Sequence, residues 1–243
     1  MLNHYIAGQI YAKLSFEATI SQKKVVEKLS EWLTSADSTS IFVLNGYAGT
    51  GKTTLVSALV EVFREIGTRS VLLAPTGRAA KVLSRYSGHQ AYTIHKKIYR
   101  EKTNAAYESK FSLDLNKERD AIFIVDEASM LSDSSGEGQI FGSGSLLDDL
   151  VSYVRSGRNC RLMLIGDNAQ LPPVGADFSP ALDPNVMSKY GEVVYASMDD
   201  VVRQSAESGI LFNATLVRCM LENGLGEIPR FRLSFPDIES MSG

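Results

Sequence analysis

Cysteine is scarce in this 243-residue chain: there are two, Cys160 and Cys219, far apart, in apolar surroundings and at no metal-ligand spacing. That scarcity excludes a disulfide-stapled secreted scaffold and a zinc module, and leaves two reduced, mostly buried thiols of a cytosolic protein. Long apolar runs are lacking too. No stretch approaches the roughly 18 to 20 residues of a membrane span, and the opening MLNHYIAGQIY has neither the basic start nor the unbroken apolar core of a secretory leader. A cytoplasmic protein with no membrane partner is the expectation. Nor is there a surplus of positive charge: 25 basic against 28 acidic residues give a net charge of −3. A surface that coats nucleic acid indiscriminately is thereby excluded. A hydrophobic content of 44% is enough for a sizeable core, in one large domain or two small ones.

The positive charge that exists is gathered in one place. Residues 78–102 hold seven basic groups, Arg78, Lys81, Arg85, Lys96, Lys97, Arg100 and Lys102, against the single acid Glu101, so this segment carries +6 and the remainder −9. A focused polyanion site has this form, and so does a solvated helix face; charge alone does not choose between them.

Apolar β-type runs recur at 41–45 (IFVLN), 70–74 (SVLLA), 121–125 (AIFIV), 161–165 (RLMLI) and 192–196 (EVVYA). They are too apolar for strands with one wet face. They predict an α/β fold with a mostly parallel sheet and helices on both faces, its ligands gathering at the carboxyl ends of the strands. Helices are expected at 21–34, with Ser21 as N-cap, and at 52–66, 78–86, 145–156 and 205–222. The glycine-rich run 132–144 reads as a mobile surface loop. Residues 98–119, with Tyr99, Tyr107 and Phe111 on a polar background, read as a small inserted β-hairpin, or as a plain helix-plus-loop connection.

The first strand runs straight into GYAGTGKTT at 46–54, and an apolar helical run follows from Leu55. Gly46, Gly51, Lys52 and Thr53 complete the G-x-x-x-x-G-K-[ST] pattern of a phosphate-binding loop in its required strand-loop-helix context. A triphosphate needs several backbone N–H groups turned inward at once, and glycines permit that curl. Lys52 then brings a point charge to the β- and γ-phosphates, Thr53 a hydroxyl to Mg²⁺, and the helix N-terminus its own field. ATP and Mg²⁺ are the expected ligands, with Gly46, Gly49, Thr50, Gly51, Lys52, Thr53 and Thr54 around them.

Two further strand ends carry polar chemistry. The run IFIVDEASM puts Asp126 and Glu127 at the end of the third strand, where Asp126 suits the Mg²⁺ shell and Glu127 suits a base for the attacking water. The run LIGDNAQLPPVG brings Gly166, Asp167 and Gln170 ahead of Pro172 and Pro173. A neutral amide such as Gln170 can sense a γ-phosphate without competing as a base, while the prolines suit a simple strand-loop transition equally well.

Taken in order, the region of Phe16 and Gln22, GYAGTGKTT, APTGRAAK at 74–81, TIHKK at 93–97, VDEASM at 125–130, GDNAQLPPVG at 166–175 and VVRQSAESGI at 201–210 form a family pattern. The chain resembles a superfamily 1 DNA helicase of the branch that holds RecD-like and Dda-like enzymes, and the resemblance covers nearly all of it. It implies a RecA-like motor domain over 1–222, fuelled by ATP and tracking single-stranded DNA, 5′–3′, up to duplex junctions. Gln22 would then read the adenine edge beside Phe16. Thr76, Gly77 and Arg78 would contact the DNA backbone, with Thr93 and His95 along the same track. For His95 a structural imidazole is an equally good reading. Gln170 would couple the γ-phosphate to DNA grip, and Arg203 would reach that phosphate across the cleft. Residues 98–119 would be a pin that parts the duplex, tipped by Tyr107 or Phe111. The family has a second RecA-like domain, and nothing here matches its motifs. Residues 223–243 are therefore expected to be a linker to, or the opening strand of, that second half in a monomeric protein, and the fragment alone should be a poor ATPase.

Overall fold

The computed structural model describes residues 2–103, 109–133, 141–200, 208–222, 224 and 228–239. Its centre is a six-stranded sheet built from β1 (Ile41–Gly46), β2 (Arg69–Ala74), β3 (Ala91–Thr93), β6 (Ala121–Val125), β7 (Arg161–Gly166) and β8 (Val193–Met198). The strand order is β3-β2-β6-β7-β1-β8, and every neighbouring pair is parallel. Successive side chains of a strand point to opposite faces. Phe42, Leu44, Leu72, Ile124 and Ile165 therefore enter one core, while Ile41, Val43, Leu73, Phe123 and Leu164 enter the other. Both faces are dry, which is why the strands read as unbroken apolar runs.

The first core is covered by α1 (Leu2–Lys13), α2 (Ile20–Thr34), α3 (Lys52–Glu65) and α4 (Gly77–Ser87). The second is closed by α5 (Ile94–Ile98), α6 (Leu146–Ser156) and the turns around Ala181, Leu182 and Met187, the last in α7 (Pro184–Met187). The expected α/β sheet with helices on both faces is what forms.

Several boundaries differ from expectation. The α2 helix is capped by Thr19 and not Ser21: the Thr19 hydroxyl accepts from Gln22 N, and the Gln22 side chain accepts from Thr19 N. This reciprocal T-x-x-Q box begins the helix one residue early. The α1 helix was not expected, because LNHYIAGQIYAK shows no cap and only Ile6, Ala7 and Ile10 are buried; packing on its neighbours makes it. The three-residue β3 is too short to show a period. The last helix, α8, spans Gly209–Glu222. Cys160 is buried, but Cys219 is exposed on α8, against the expectation of two buried thiols.

Residues 98–119 do contain the hairpin. Here β4 (Tyr99–Thr103) pairs antiparallel with β5 (Ser109–Leu113), with Glu101 opposite Phe111. Of the run 132–144, expected as a mobile surface loop, residues 134–140 lie outside the described residues, and Phe141 and Gly142 pack on the hairpin. Phe141 stacks on Phe111 with ring centroids 4.5 Å apart, and Gly142 N donates to Phe111 O at 2.8 Å. Residues 228–239 form no strand. They double back on α8, where Asp237 accepts from Gly209 N at 2.8 Å and Asn213 and Arg232 exchange hydrogen bonds.

Candidate active site

The parallel topology lines up the carboxyl ends of β1, β2, β6 and β7 on one edge of the sheet, and most of the expected chemistry lies there. After β1 the chain turns through Gly49 (φ 78°) and Gly51 (φ 91°) into α3. Both are left-handed conformations that cost a residue with a Cβ roughly 1–2 kcal/mol. Gly51 is also the N-cap and supplies no side-chain bond, so the first-turn N–H groups of α3 are not capped by it. Uncapped donors plus the helix field make an anion seat.

The Lys52 ammonium folds back into this seat, donating to Gly46 O and, at 3.0 Å, to Tyr47 O. It lies 3.8 Å from the buried Asp167 carboxylate. Burial pushes the Lys52 pKa down, while Asp167, Asp126 and Glu127 pull it back up. The amine thus occupies polar atoms of the loop that a phosphate oxygen would replace.

Asp126 and Glu127 follow β6. One Asp126 oxygen accepts from Glu127 N at 3.0 Å and the other from the Tyr86 hydroxyl at 2.5 Å. Glu127 adopts φ 56° and ψ 38°, an uncommon place for a residue with a side chain. Burial first, and the charge of Asp126 second, push its carboxyl above the ordinary range; Lys52 and the Gln170 amide hold it down. A raised carboxyl beside a charged one is the electrostatic profile of a general base. Gln170 also meets the Ser129 hydroxyl at 3.4 Å.

One cavity of about 440 Å³ brings together Phe16, Gly49, Gly51, Lys52, Thr53, Thr54, Asp126, Glu127 and Gln170. An uncapped helix start, an ammonium, a threonine and two carboxylates on one cavity fit a magnesium-bound triphosphate. Gln22 sits behind the loop and not in its opening. It is buried, and its amide donates to Thr50 O at 2.9 Å while completing the α2 cap. Gly46 closes the strand under the loop, where an added Cβ would lie 3.1 Å from Lys52 and Thr50 side chains.

The expected nucleic-acid residues lie apart from this cavity, along α4 and α5. The Thr76 and Thr93 hydroxyls cap these helices, accepting from Ala79 N at 3.1 Å and Lys96 N at 3.2 Å. A capping hydroxyl keeps its own proton for another acceptor. Gly77 and Arg78 open α4 and are exposed. His95 is packed edge-on to Phe141 (centroids 5.1 Å) and tilted on Tyr99 (5.6 Å), and burial pushes its imidazole pKa down. Phe111 lies midway along the hairpin, opposite Glu101, and is stacked on Phe141; it is not at the tip. Tyr107 and Arg203 lie outside the described residues.

Three residues of the site have no role among the sequence expectations. Asp167 carries a signal, since an acid at the carboxyl end of a strand is the same cue that marks Asp126. Tyr86 and Phe141 carry none, because their partners are distant in sequence.

The model of an AAA domain family matches residues 18–218. The chain is 38% identical over 138 residues to the ATP-dependent DNA helicase dda of Enterobacteria phage T4, covering 54% of this chain and 28% of that protein. It is 29% identical over 216 residues to the ATP-dependent RecD2 DNA helicase of Deinococcus radiodurans, covering 84% of this chain and 25% of that one. The chain therefore spans about a quarter of the length of these curated relatives. Among solved structures, the Pif1 helicase from Bacteroides in complex with ADP-AlF3 and ssDNA matches with a TM-score of 0.54 at 18% identity, over 84% of this chain and 47% of that one. The Pif1 helicase from Candida albicans matches at 0.52 and 20%, over 83% and 44%. At these identities the two structures speak for the fold alone.

Proposed function

We propose that this chain, which belongs to the AAA domain family and is the RecA-like domain of a superfamily 1 helicase, couples ATP hydrolysis to movement along single-stranded DNA. The observation that carries this reading is the single cavity joining Lys52, Thr53, Asp126, Glu127 and Gln170, with α4 leaving the next strand end.

Lys52 would release Gly46 O and Tyr47 O to meet the β- and γ-phosphates, and Thr53 with Asp126 would hold Mg²⁺. Bound magnesium would offset the charge developing between those phosphates. Glu127 would orient a water and take its proton, a role suited to its raised pKa. Asp167 holds Lys52 within the cleft until the phosphates arrive. Gln22 would act from behind, keeping Thr50 and the loop in register with α2 while Phe16 lies along the base. Gln170, which lines the same cavity as Glu127, is the amide suited to sense the γ-phosphate. Arg203 would neutralise the developing charge across the cleft.

The DNA track would run over Thr76, Gly77 and Arg78 at the start of α4 and over Thr93 and His95 at α5. The hairpin at 98–119 would part the duplex, with 5′–3′ travel and Tyr107 at the tip. We further propose that a second RecA-like domain in the same protein forms the other wall of the cleft, so that residues 1–243 alone bind nucleotide weakly and turn it over poorly. Lys52→Ala is the test. It is expected to abolish nucleotide binding and DNA-stimulated ATP turnover, and unchanged turnover would overturn the assignment.

A further inference from the structure

Tyr86 stands where the two halves of this proposed activity touch. Its α4 helix carries Thr76 and Arg78 at its start and Tyr86 in its last turn, about 12 Å further on at ~1.5 Å per residue. The Tyr86 hydroxyl donates to Asp126 Oδ2 at 2.5 Å. Its carbonyl accepts from Ser57 Oγ at 2.9 Å, on the helix that begins with Lys52 and Thr53. The ring packs against the first core, which fixes its position along α4. Asp126 is therefore gripped from two sides, by Glu127 N from its own loop and by the Tyr86 hydroxyl from α4.

A tyrosine needed only for packing has no reason to direct its hydroxyl at the carboxylate of a metal site. Any displacement of α4 would be handed to Asp126 through a short, charge-assisted bond, and any movement of Asp126 would be handed back.

Resting on the helicase reading above, we propose that Tyr86 is a positioning residue that links the α4 track to Asp126, so that single-stranded DNA and magnesium nucleotide strengthen each other's binding through it. Reciprocity is required of such a link: each ligand tightens the other by the same factor.

The test is a titration of the purified protein with a fluorescent ADP analogue, in Mg²⁺ or in EDTA, with and without an oligothymidylate. In the wild type the oligonucleotide should tighten binding in Mg²⁺ by about 5-fold or more, the lower end of ordinary coupling. Tyr86→Phe keeps the ring and removes the hydroxyl. It should cut that factor below about 2-fold while leaving affinity in EDTA, and affinity for the oligonucleotide alone, unchanged. Wild-type coupling retained in Tyr86→Phe would overturn the proposal, as would an equal loss in Mg²⁺ and EDTA, which marks packing only. Absence of coupling in a wild type that binds both ligands would overturn it too. A wild type that binds no nucleotide would instead overturn the helicase reading beneath it.

Discussion

Glu127 combines a left-handed backbone, φ 56°, with a half-buried carboxyl whose pKa is raised. Its folded-state pKa lies above the unfolded one, so the folded chain binds the proton more tightly. The stability this group contributes is present below the unfolded value and is lost as pH rises through the raised one. At neutral pH the carboxylate is thus a cost to the fold. Glu127→Gln is expected to raise the melting temperature, because it removes the half-buried charge, while ATP turnover falls at least ~100-fold. Thermal melts beside turnover assays check both. Turnover should also fail on the acid side at a pH above that of an ordinary carboxylate, because a protonated Glu127 takes no proton from water. At this scale the sequence cues are those whose spacing is covalent: Gly51, Lys52, Thr53, Asp126 and Glu127 all stand at, or within two residues of, a strand or helix end. The Tyr86–Asp126 and Lys52–Asp167 contacts join residues 40 and 115 apart, and only packing could reveal them.

Two elements position the loop and the hairpin. The α2 helix starts on a capping box that shares its Gln22 with the phosphate loop. Gln22→Ala removes the box partner and leaves Thr50 O in a buried setting without this donor, a loss of about 1–2 kcal/mol. Urea unfolding measures that loss, and weaker nucleotide binding should accompany it. The hairpin is held from below: the Tyr99 hydroxyl donates to the buried Asp149 at 2.6 Å, and Asp149 also accepts from Ser143 N at 3.0 Å. Tyr99→Phe should cost about 1–3 kcal/mol by leaving that carboxylate under-bonded, read in the same urea titration. Strands were the most legible elements because burial on both faces leaves an unmistakable apolar run. The α1 helix, β3 and the Phe141 anchor were not, since their stability comes from neighbours and not from their own periodicity or caps.

Over the whole molecule, charge is divided between an acidic body and a basic strip, but the strip is thinner than its count suggests. Lys97 is paired with Glu118 at 2.7 Å, and Arg100 lies 3.8 Å from Asp114. Arg78, Lys81, Arg85 and Lys96 are exposed. Arg78→Glu with Lys81→Glu should weaken single-strand binding and reduce the salt slope by about 0.7 for each phosphate that is no longer neutralised. Binding isotherms at several salt concentrations decide it, and an unchanged slope would move the track elsewhere. The function proposed joins the sheet edge, the cavity around Lys52 and α4, and its central claim is that ATP is hydrolysed at Glu127 in response to single-stranded DNA. Steady-state ATP turnover of the full-length protein, with and without single-stranded DNA, in wild type and Glu127→Gln, tests this most directly. The account predicts stimulation by DNA in the wild type and its loss in the variant; turnover indifferent to DNA, or undiminished in Glu127→Gln, would contradict it.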